Sequence, residues 1–309
     1  MRPLAARMSV MSGEGALSVF ARAKELERQG HSVIHLELGE PDFHPAAPVK
    51  EALKRALDEG KERYCPVLGV PALREAIAAY LKKTRNLDVS SANVVIAPGC
   101  KIALFMAMMA LVDPGDEVLY PDPGFPGYES MTVGLGGIPV PFVLSERNHL
   151  QPDPDEIAAR ITPRTKILIT NSPGNPTGTV YTDAVQRRMA ELAVKRDLLV
   201  LSDEIYARII YGADYVSMMS YPGMEERTLI IDGFSKSFAM TGWRLGYTVA
   251  PARIVPALDL MGVNSYTCVA EFSQYAAIEA LKDTEGATPR MVAEFARRRE
   301  RFVRDLNRV

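Results

Sequence analysis

The 309-residue sequence has few cysteines and no motif that joins them. Cys65, Cys100 and Cys268 are odd in number, lie far apart and form no Cys-x-x-Cys pair. This usage argues against a disulfide framework and favours a reducing compartment. Residues 1–15 also contain no apolar stretch of signal-peptide length. The sequence therefore predicts a cytoplasmic protein.

A long apolar run and an excess of one charge are also missing. The most apolar window, residues 102–112, is too short to cross a bilayer. The formal net charge of −2 is spread along the chain, so we expect neither a nucleic acid nor a membrane as the main partner. His31 and His35 have no accompanying ligand pattern, which argues against a metal site. No G-x-G-x-x-G motif opens a helix, which argues against an NAD enzyme.

Short β-branched runs alternate with amphipathic stretches along the chain. Several runs are apolar at every position, as in strands whose two faces are covered by helices. The alternation predicts an α/β fold with a mostly parallel sheet and helices on both faces. We expect strands at 33–38, 93–97, 116–121, 138–143, 165–170, 197–203, 228–233 and 245–250, and helices at 17–30, 49–60, 70–83, 101–112, 182–196 and 288–309.

Ligands of such sheets bind outside the carboxyl ends of the strands, and several predicted strand ends carry unusual residues. "PGCK", residues 98–101, opens a helix whose free N–H groups suit a phosphate. The loop "NSPGNPTG", residues 171–178, is stiffened by prolines and positions Asn175. Asp203 ends an apolar strand, where its burial is costly without a cation, and Tyr206 follows. Each motif also has a purely structural interpretation. Residues 98–101 fit a plain helix start and residues 171–178 fit a turn. Asp203 fits a helix N-cap and Tyr206 fits a packed aromatic side chain.

The segment "DGFSKSFAMTGWRLGY", residues 232–247, places Lys236 just after an apolar run and Arg244 eight positions later. A surface lysine is the plainer interpretation, but a partly desolvated lysine near other cations has a lowered pKa and becomes a nucleophile. Arg244 carries a planar charge that suits a phosphate. The strand ends together offer an amine, a carboxylate, a phenol and a phosphate cradle. Pyridoxal phosphate is a ligand that uses all four.

The chain resembles the class I/II pyridoxal-phosphate aminotransferases of fold type I, in the branch with aspartate, aromatic and alanine aminotransferases. The motifs that carry this resemblance are "HLELGEPDF" (35–43), "RYCPVLGVPALREAIAAYL" (63–81), "PDPGFPGY" (121–128), "NSPGNPTG" (171–178), "SDEIY" (202–206) and "GFSKSFAMTGWRLGY" (233–247). The resemblance implies the transfer of an amino group between an L-amino acid and a 2-oxo acid through a Schiff base of Lys236. It also implies a homodimer.

The resemblance implies a role for each matching residue. Lys236 would carry the cofactor and move the proton, Asp203 would pair with the ring nitrogen and Tyr206 with the 3-oxygen. The phosphate would be held by Gly99, Cys100, Lys101 and Arg244, and Ser235 would add a hydroxyl. Phe125 would stack on the face of the ring. Asn175 would contact the 3-oxygen and the substrate carboxylate. Gly39 would lie beside the substrate carboxylate, and Tyr64 would reach the phosphate of the neighbouring subunit.

Two features depart from the family pattern. Cys100 stands where Gly or Ser is usual and would act through its backbone N–H. The chain stops at Val309, ahead of the family's C-terminal carboxylate-binding arginine, so the resemblance implies a truncated chain with little transaminase activity. We accordingly predict an N-terminal segment of the small domain (1–45), a large cofactor-binding domain (46–283) and an incomplete C-terminal small domain (284–309).

Two other functions use the same fold and cofactor. One is a different pyridoxal-phosphate reaction, such as that of a C–S lyase or a cyclopropane-forming synthase. The other is a non-catalytic cofactor-binding module, such as the effector domain of a transcription regulator. A regulator needs a DNA-binding domain ahead of the fold, and the residues before 33–38 hold one amphipathic helix at most. The sequence does not identify the amino donor.

Overall fold

The computed structural model describes residues 2–283 and 286–308. Its strands are β1 (Val94–Ala97), β2 (Glu117–Asp122), β3 (Ile138–Val143), β4 (Thr165–Asn171), β5 (Leu199–Asp203), β6 (Thr228–Gly233) and β7 (Gly246–Val249). They form a seven-stranded sheet in the order β1-β7-β6-β5-β4-β2-β3. β7 runs antiparallel to both of its neighbours, and the other neighbouring pairs are parallel. The predicted mostly parallel sheet is confirmed.

The described residues contain the six predicted helices with somewhat different ends, and four helices that the sequence did not predict, at 127–134, 154–160, 255–263 and 271–282. They are α1 (Gly15–Arg28), α2 (Ala47–Asp58), α3 (Pro71–Arg85), α4 (Cys100–Leu111), α5 (Gly127–Gly134), α6 (Pro154–Arg160), α7 (Asp183–Lys195), α8 (Val255–Val263), α9 (Glu271–Lys282) and α10 (Ala287–Leu306). Within residues 2–283 and 286–308, none of the helices is long and apolar enough to span a membrane. The predicted domain boundary between 283 and 284 adjoins residues 284 and 285, which lie outside the described residues.

Helices cover both faces of the sheet, as alternate side chains of one strand show. In β1, Val94 and Ile96 pack into a core with residues of α3 and α9. Val95 and Ala97 point the other way, into a core with residues of α4, α5 and α8. At the opposite end of the sheet, α6 and α7 pack on strand residues such as Leu168. Because both faces are buried, the strands carry apolar residues at almost every position.

The predicted strand at 33–38 is wrong. This segment is irregular, and Ile34 and Leu36 are 85% and 79% exposed. A strand needs a partner for its backbone N–H and C=O groups, and the sheet of the described residues provides none beside this segment. His35 instead bonds the carboxylates of Glu27 and Glu37, at 2.9 and 2.6 Å.

The strand register brings the chemically unusual residues to one edge of the sheet. Asn171 at the end of β4 lies opposite Asp203 at the end of β5. β7 begins at Gly246, opposite Gly233 at the end of β6. Because β7 is antiparallel, its first residues lie at the edge where the parallel strands finish. Arg244, just ahead of β7, therefore joins the residues that follow β4, β5 and β6.

Candidate active site

A cavity of about 510 Å³ opens at this edge of the sheet, a size typical of small-molecule sites. Most of the site residues predicted from the sequence line it: Gly39, Cys100, Lys101, Phe125, Asn175, Asp203, Tyr206, Ser235, Lys236 and Arg244. Gly99 lies just behind the wall, against Arg244. Tyr64 is 88% exposed and is not part of the lining.

Lys236 reaches into the cavity from the turn after β6. Its Nζ donates a 2.7 Å hydrogen bond to the carbonyl oxygen of Gly39. Burial lowers the pKa of Lys236, and the nearby charges of Arg244 and Lys101 lower it further, against opposing effects of Cys100 and Glu40. A larger share of the amine is therefore neutral at a given pH than in a free lysine, and the neutral amine is the nucleophilic form.

Asp203 presents a carboxylate to the cavity from the end of β5. One oxygen accepts a 2.8 Å hydrogen bond from the hydroxyl of Tyr128, and the other accepts from the backbone N–H of Ile205 at 3.3 Å. Burial raises the pKa of Asp203 to about 6, the Tyr128 hydrogen bond opposes this rise, and Asp232 and Glu204 add to it. A cation placed beside this carboxylate would relieve the cost of its burial.

The start of α4 and Arg244 form a cradle that only small residues allow. Gly99 has φ +93°, and a Cβ there would collide with the guanidinium of Arg244. A Cβ on Gly246 would lie 2.5 Å from the backbone N of Cys100. Arg244 donates to the carbonyl oxygen of Thr241 at 3.0 Å. The glycines thus let the helix N-terminus and the arginine approach one point, where both favour an anion.

Two residues that sequence reasoning missed hold the site residues in place. Tyr128 is fully buried behind Asp203 and belongs to the "PDPGFPGY" motif, which signalled it. Asn171 donates its side-chain amide to the carbonyl oxygen of Asp203 at 3.1 Å and accepts the backbone N–H of Asn175 at 2.7 Å. Its position at the head of "NSPGNPTG" was the available signal.

A buried ion cluster lies under the same strand ends, and no sequence motif indicated it. Arg85 of α3 has a side chain 3% exposed and pairs with Asp232 and, at 2.6 Å, with Glu204. The hydroxyl of Tyr247 donates to Asp232 at 2.7 Å, and that of Ser217 donates to Glu204 at 2.6 Å. The cluster ties α3 to β5 and β6, whose ends carry Asp203 and the turn to Lys236.

The raised pKa of Asp203 has a testable consequence for stability. The folded state binds this proton more tightly than the unfolded chain, so the stability it contributes is present at low pH and lost as the pH rises through about 6. We expect Asp203→Asn to stabilise the cofactor-free protein by about 1–3 kcal/mol near neutral pH and by almost nothing near pH 4. Urea unfolding at both pH values measures this.

Asp214→Asn, at an exposed position, is the matched control and should change stability at neither pH. A destabilised Asp203→Asn protein near neutral pH would show instead that the charged carboxylate holds the fold.

Comparison with known proteins identifies the family of this chain. Residues 31–309 match the family described as aminotransferase class I and II. The chain is 40% identical over 308 residues to aspartate/prephenate aminotransferase of Thermus thermophilus, covering 99% of this chain and 78% of that protein. It is 41% identical over 279 residues to aspartate aminotransferase of Pyrococcus abyssi, covering 89% of this chain and 72% of that one.

Solved structures give the same result. The aspartate aminotransferase from Thermus thermophilus with maleate superimposes with a TM-score of 0.92 at 40% identity, covering 99% of this chain and 79% of that chain. The aspartate aminotransferase from Rhizobium meliloti superimposes with a TM-score of 0.95 at 33% identity, covering 100% of this chain and 78% of that chain. The chain therefore belongs to the class I and II aminotransferases, the pyridoxal-phosphate-dependent enzymes of fold type I that transfer amino groups.

Proposed function

We propose that this cavity holds pyridoxal 5′-phosphate and transfers an amino group between an L-amino acid and a 2-oxo acid. One observation carries the proposal. A partly desolvated lysine amine, a carboxylate with a raised pKa and a helix N-terminus beside an arginine all face one cavity. These groups match the aldehyde, the ring nitrogen and the phosphate of the cofactor.

The residues present fit the cofactor part by part. The Asp203 carboxylate would pair with the protonated ring nitrogen, a cation that would offset the cost of burying this carboxylate. Tyr206 would donate its hydroxyl to the 3-oxygen, and Phe125 would cover a face of the ring. The cradle that a Cβ on Gly99 would fill is the place for the phosphate. Its other contacts would be the N–H groups of Cys100 and Lys101, the hydroxyl of Ser235 and the guanidinium of Arg244.

When bound, pyridoxal phosphate supplies an electron sink for the negative charge that develops at the substrate Cα. Asp203 would hold its carboxylate toward the ring nitrogen, because Tyr128 and the Ile205 N–H fix its two oxygens. Lys236 carries the amine that takes the Cα proton, and its lowered pKa favours the base form needed for that transfer. Asn175 and Gly39 would position the substrate carboxylate.

We propose aspartate as an amino donor, because relatives matched over nearly the whole of this chain are named aspartate aminotransferases. We also propose a cytoplasmic homodimer in which Tyr64 reaches the partner's phosphate site. The exposure of Tyr64 and its place outside its own cavity support this role. Size-exclusion chromatography with light scattering, together with cofactor titration of Tyr64→Phe, tests both parts of the dimer proposal.

The direct test is a transamination assay of purified protein with pyridoxal phosphate, an amino acid panel and 2-oxoglutarate. We expect slow formation of glutamate with aspartate as donor, in line with the low transaminase activity that the resemblance implies. Release of pyruvate and ammonia from sulfur amino acids without a 2-oxo acid would identify a lyase instead. Cofactor binding without turnover of any donor would contradict the catalytic proposal.

The cradle itself can be tested without turnover. Gly99→Ala places a methyl group against the Arg244 guanidinium and strains a backbone at φ +93°. We expect the Kd for pyridoxal phosphate to rise about 10- to 100-fold, with a parallel rise for inorganic phosphate. Absorbance titration and phosphate competition measure the two constants.

Gly115→Ala is a close control, because Gly115 has φ +94° and open space around the new Cβ. It carries the backbone strain alone and should leave both constants unchanged. An equal loss of affinity in the two variants would rule out the cradle as the phosphate site.

A further inference from the structure

Two of the three cysteines come together although they are about 200 residues apart in the chain. Cys65 lies in the segment between α2 and α3, and Cys268 lies in the segment between α8 and α9. The Cys65 thiol donates to the carbonyl oxygen of Val269, the residue next to Cys268, at 3.4 Å. Besides burial, the neighbouring Cys268 thiol also contributes to raising the pKa of Cys65. Both thiols are partly exposed and neither is in a disulfide in this structure.

Hydrogen bonds of Gln274 hold the segment that contains Cys65 against the segment that contains Cys268. The side-chain amide of Gln274 donates to the Cys65 sulfur at 3.2 Å and to the carbonyl oxygen of Val269 at 2.9 Å. The amide oxygen of Gln274 accepts the backbone N–H of Val70 at 2.8 Å. Gln274 is fully buried, so this clamp fixes the segments on both sides of the cysteine pair. The third cysteine, Cys100, lies at the cavity and takes no part in it.

We propose that Cys65 and Cys268 are a modification site: they form a reversible disulfide when a low-molecular-weight disulfide such as oxidised glutathione is in excess. The S–S bond of the oxidant breaks, one S–S bond forms in the protein, and the two thiol protons pass to the two released glutathione thiols. The protein thiols are oxidised by two electrons and the glutathione is reduced by two. Burial raises the pKa of Cys65 to about 11, so its thiolate fraction is small at neutral pH and exchange that begins at Cys65 is slow.

The test is peptide mapping of protein equilibrated with oxidised glutathione, with free thiols blocked before digestion. Trypsin releases Cys65 in the peptide 64–74 and Cys268 in the peptide 254–282. We expect these peptides joined, in a chain that stays monomeric on a non-reducing denaturing gel. Excess reduced glutathione should separate them. Blocked thiols at both positions, or a mixed disulfide with glutathione at each, would overturn the proposal.

Three serine variants make the assignment specific. Cys65→Ser and Cys268→Ser should each abolish the joined peptide, whereas Cys100→Ser should retain it. The bridge closes a long loop of the unfolded chain, so oxidation should raise the melting temperature of the wild type by several degrees and leave Cys65→Ser unchanged. A lower melting temperature in the bridged wild type would show that native geometry does not accommodate the bond. These readouts need neither cofactor nor turnover, so they stand apart from the proposed catalytic function.

Discussion

Lys236→Ala is expected to lower the transamination rate by at least about 10³-fold, because it removes both the amine that binds the cofactor aldehyde and the base that moves the Cα proton. The variant should also lose the long-wavelength absorbance band that arises when the aldehyde binds a protein amine. Within residues 2–283 and 286–308 this amine makes a single hydrogen bond, to the Gly39 carbonyl oxygen, so the fold should survive its loss. Steady-state kinetics, absorbance titration and circular dichroism measure the three effects.

Two further variants separate this chemistry from charge. Lys236→Arg keeps a positive charge in the cavity but stays protonated, so it should lack the band as well. Lys54→Ala removes an exposed lysine of α2 and should behave as wild type. A full absorbance band in Lys236→Ala would remove Lys236 from the proposed role and leave another amine, such as that of Lys101, to be tested.

Local pattern predicted the sheet, and pattern together with the family resemblance predicted ten of the residues that line the cavity. Apolar runs define strands, parallel strands finish at one edge, and the residues after each run must therefore meet there. The positions of Asp203 and Lys236 at this edge follow from the sequence pattern alone. The prediction of a strand at 33–38 was wrong although its residues follow a strand pattern. A strand also needs a neighbouring strand to pair with, and the local pattern does not show whether one is present.

Contacts between distant segments were beyond such reasoning. Arg85 is one of many basic residues on helices, and no neighbouring residue in the sequence indicates that it pairs with Glu204 and Asp232. The pairing of Cys65 with Cys268 likewise depends on how α3 and α9 pack against each other. The sequence shows three cysteines that lie far apart along the chain. It does not show that folding brings two of them close together.

Arg85→Met should destabilise the protein by about 3–5 kcal/mol. The substitution removes the cation between two carboxylates whose side chains are 1% and 5% exposed, and leaves them without its charge. Arg188→Met is the control: Arg188 pairs with Asp155 in solvent, at side-chain exposures of 51% and 80%, and its loss should cost less than about 1 kcal/mol. Urea unfolding of the cofactor-free proteins compares them.

Arg85→Met should also affect the active site, because the ion cluster lies beneath the strand ends that carry the active-site residues. Glu204 directly follows Asp203, and Asp232 precedes the turn that ends in Lys236. Arg85→Met should therefore weaken cofactor binding as well as folding, whereas Arg188→Met should leave cofactor binding unchanged. Neutralising both carboxylates in the triple variant Arg85→Met, Glu204→Gln, Asp232→Asn should recover part of the stability, because no buried charge is then left unpaired. If the triple variant is no more stable than Arg85→Met, lost packing of the arginine stem, and not unpaired charge, accounts for the effect.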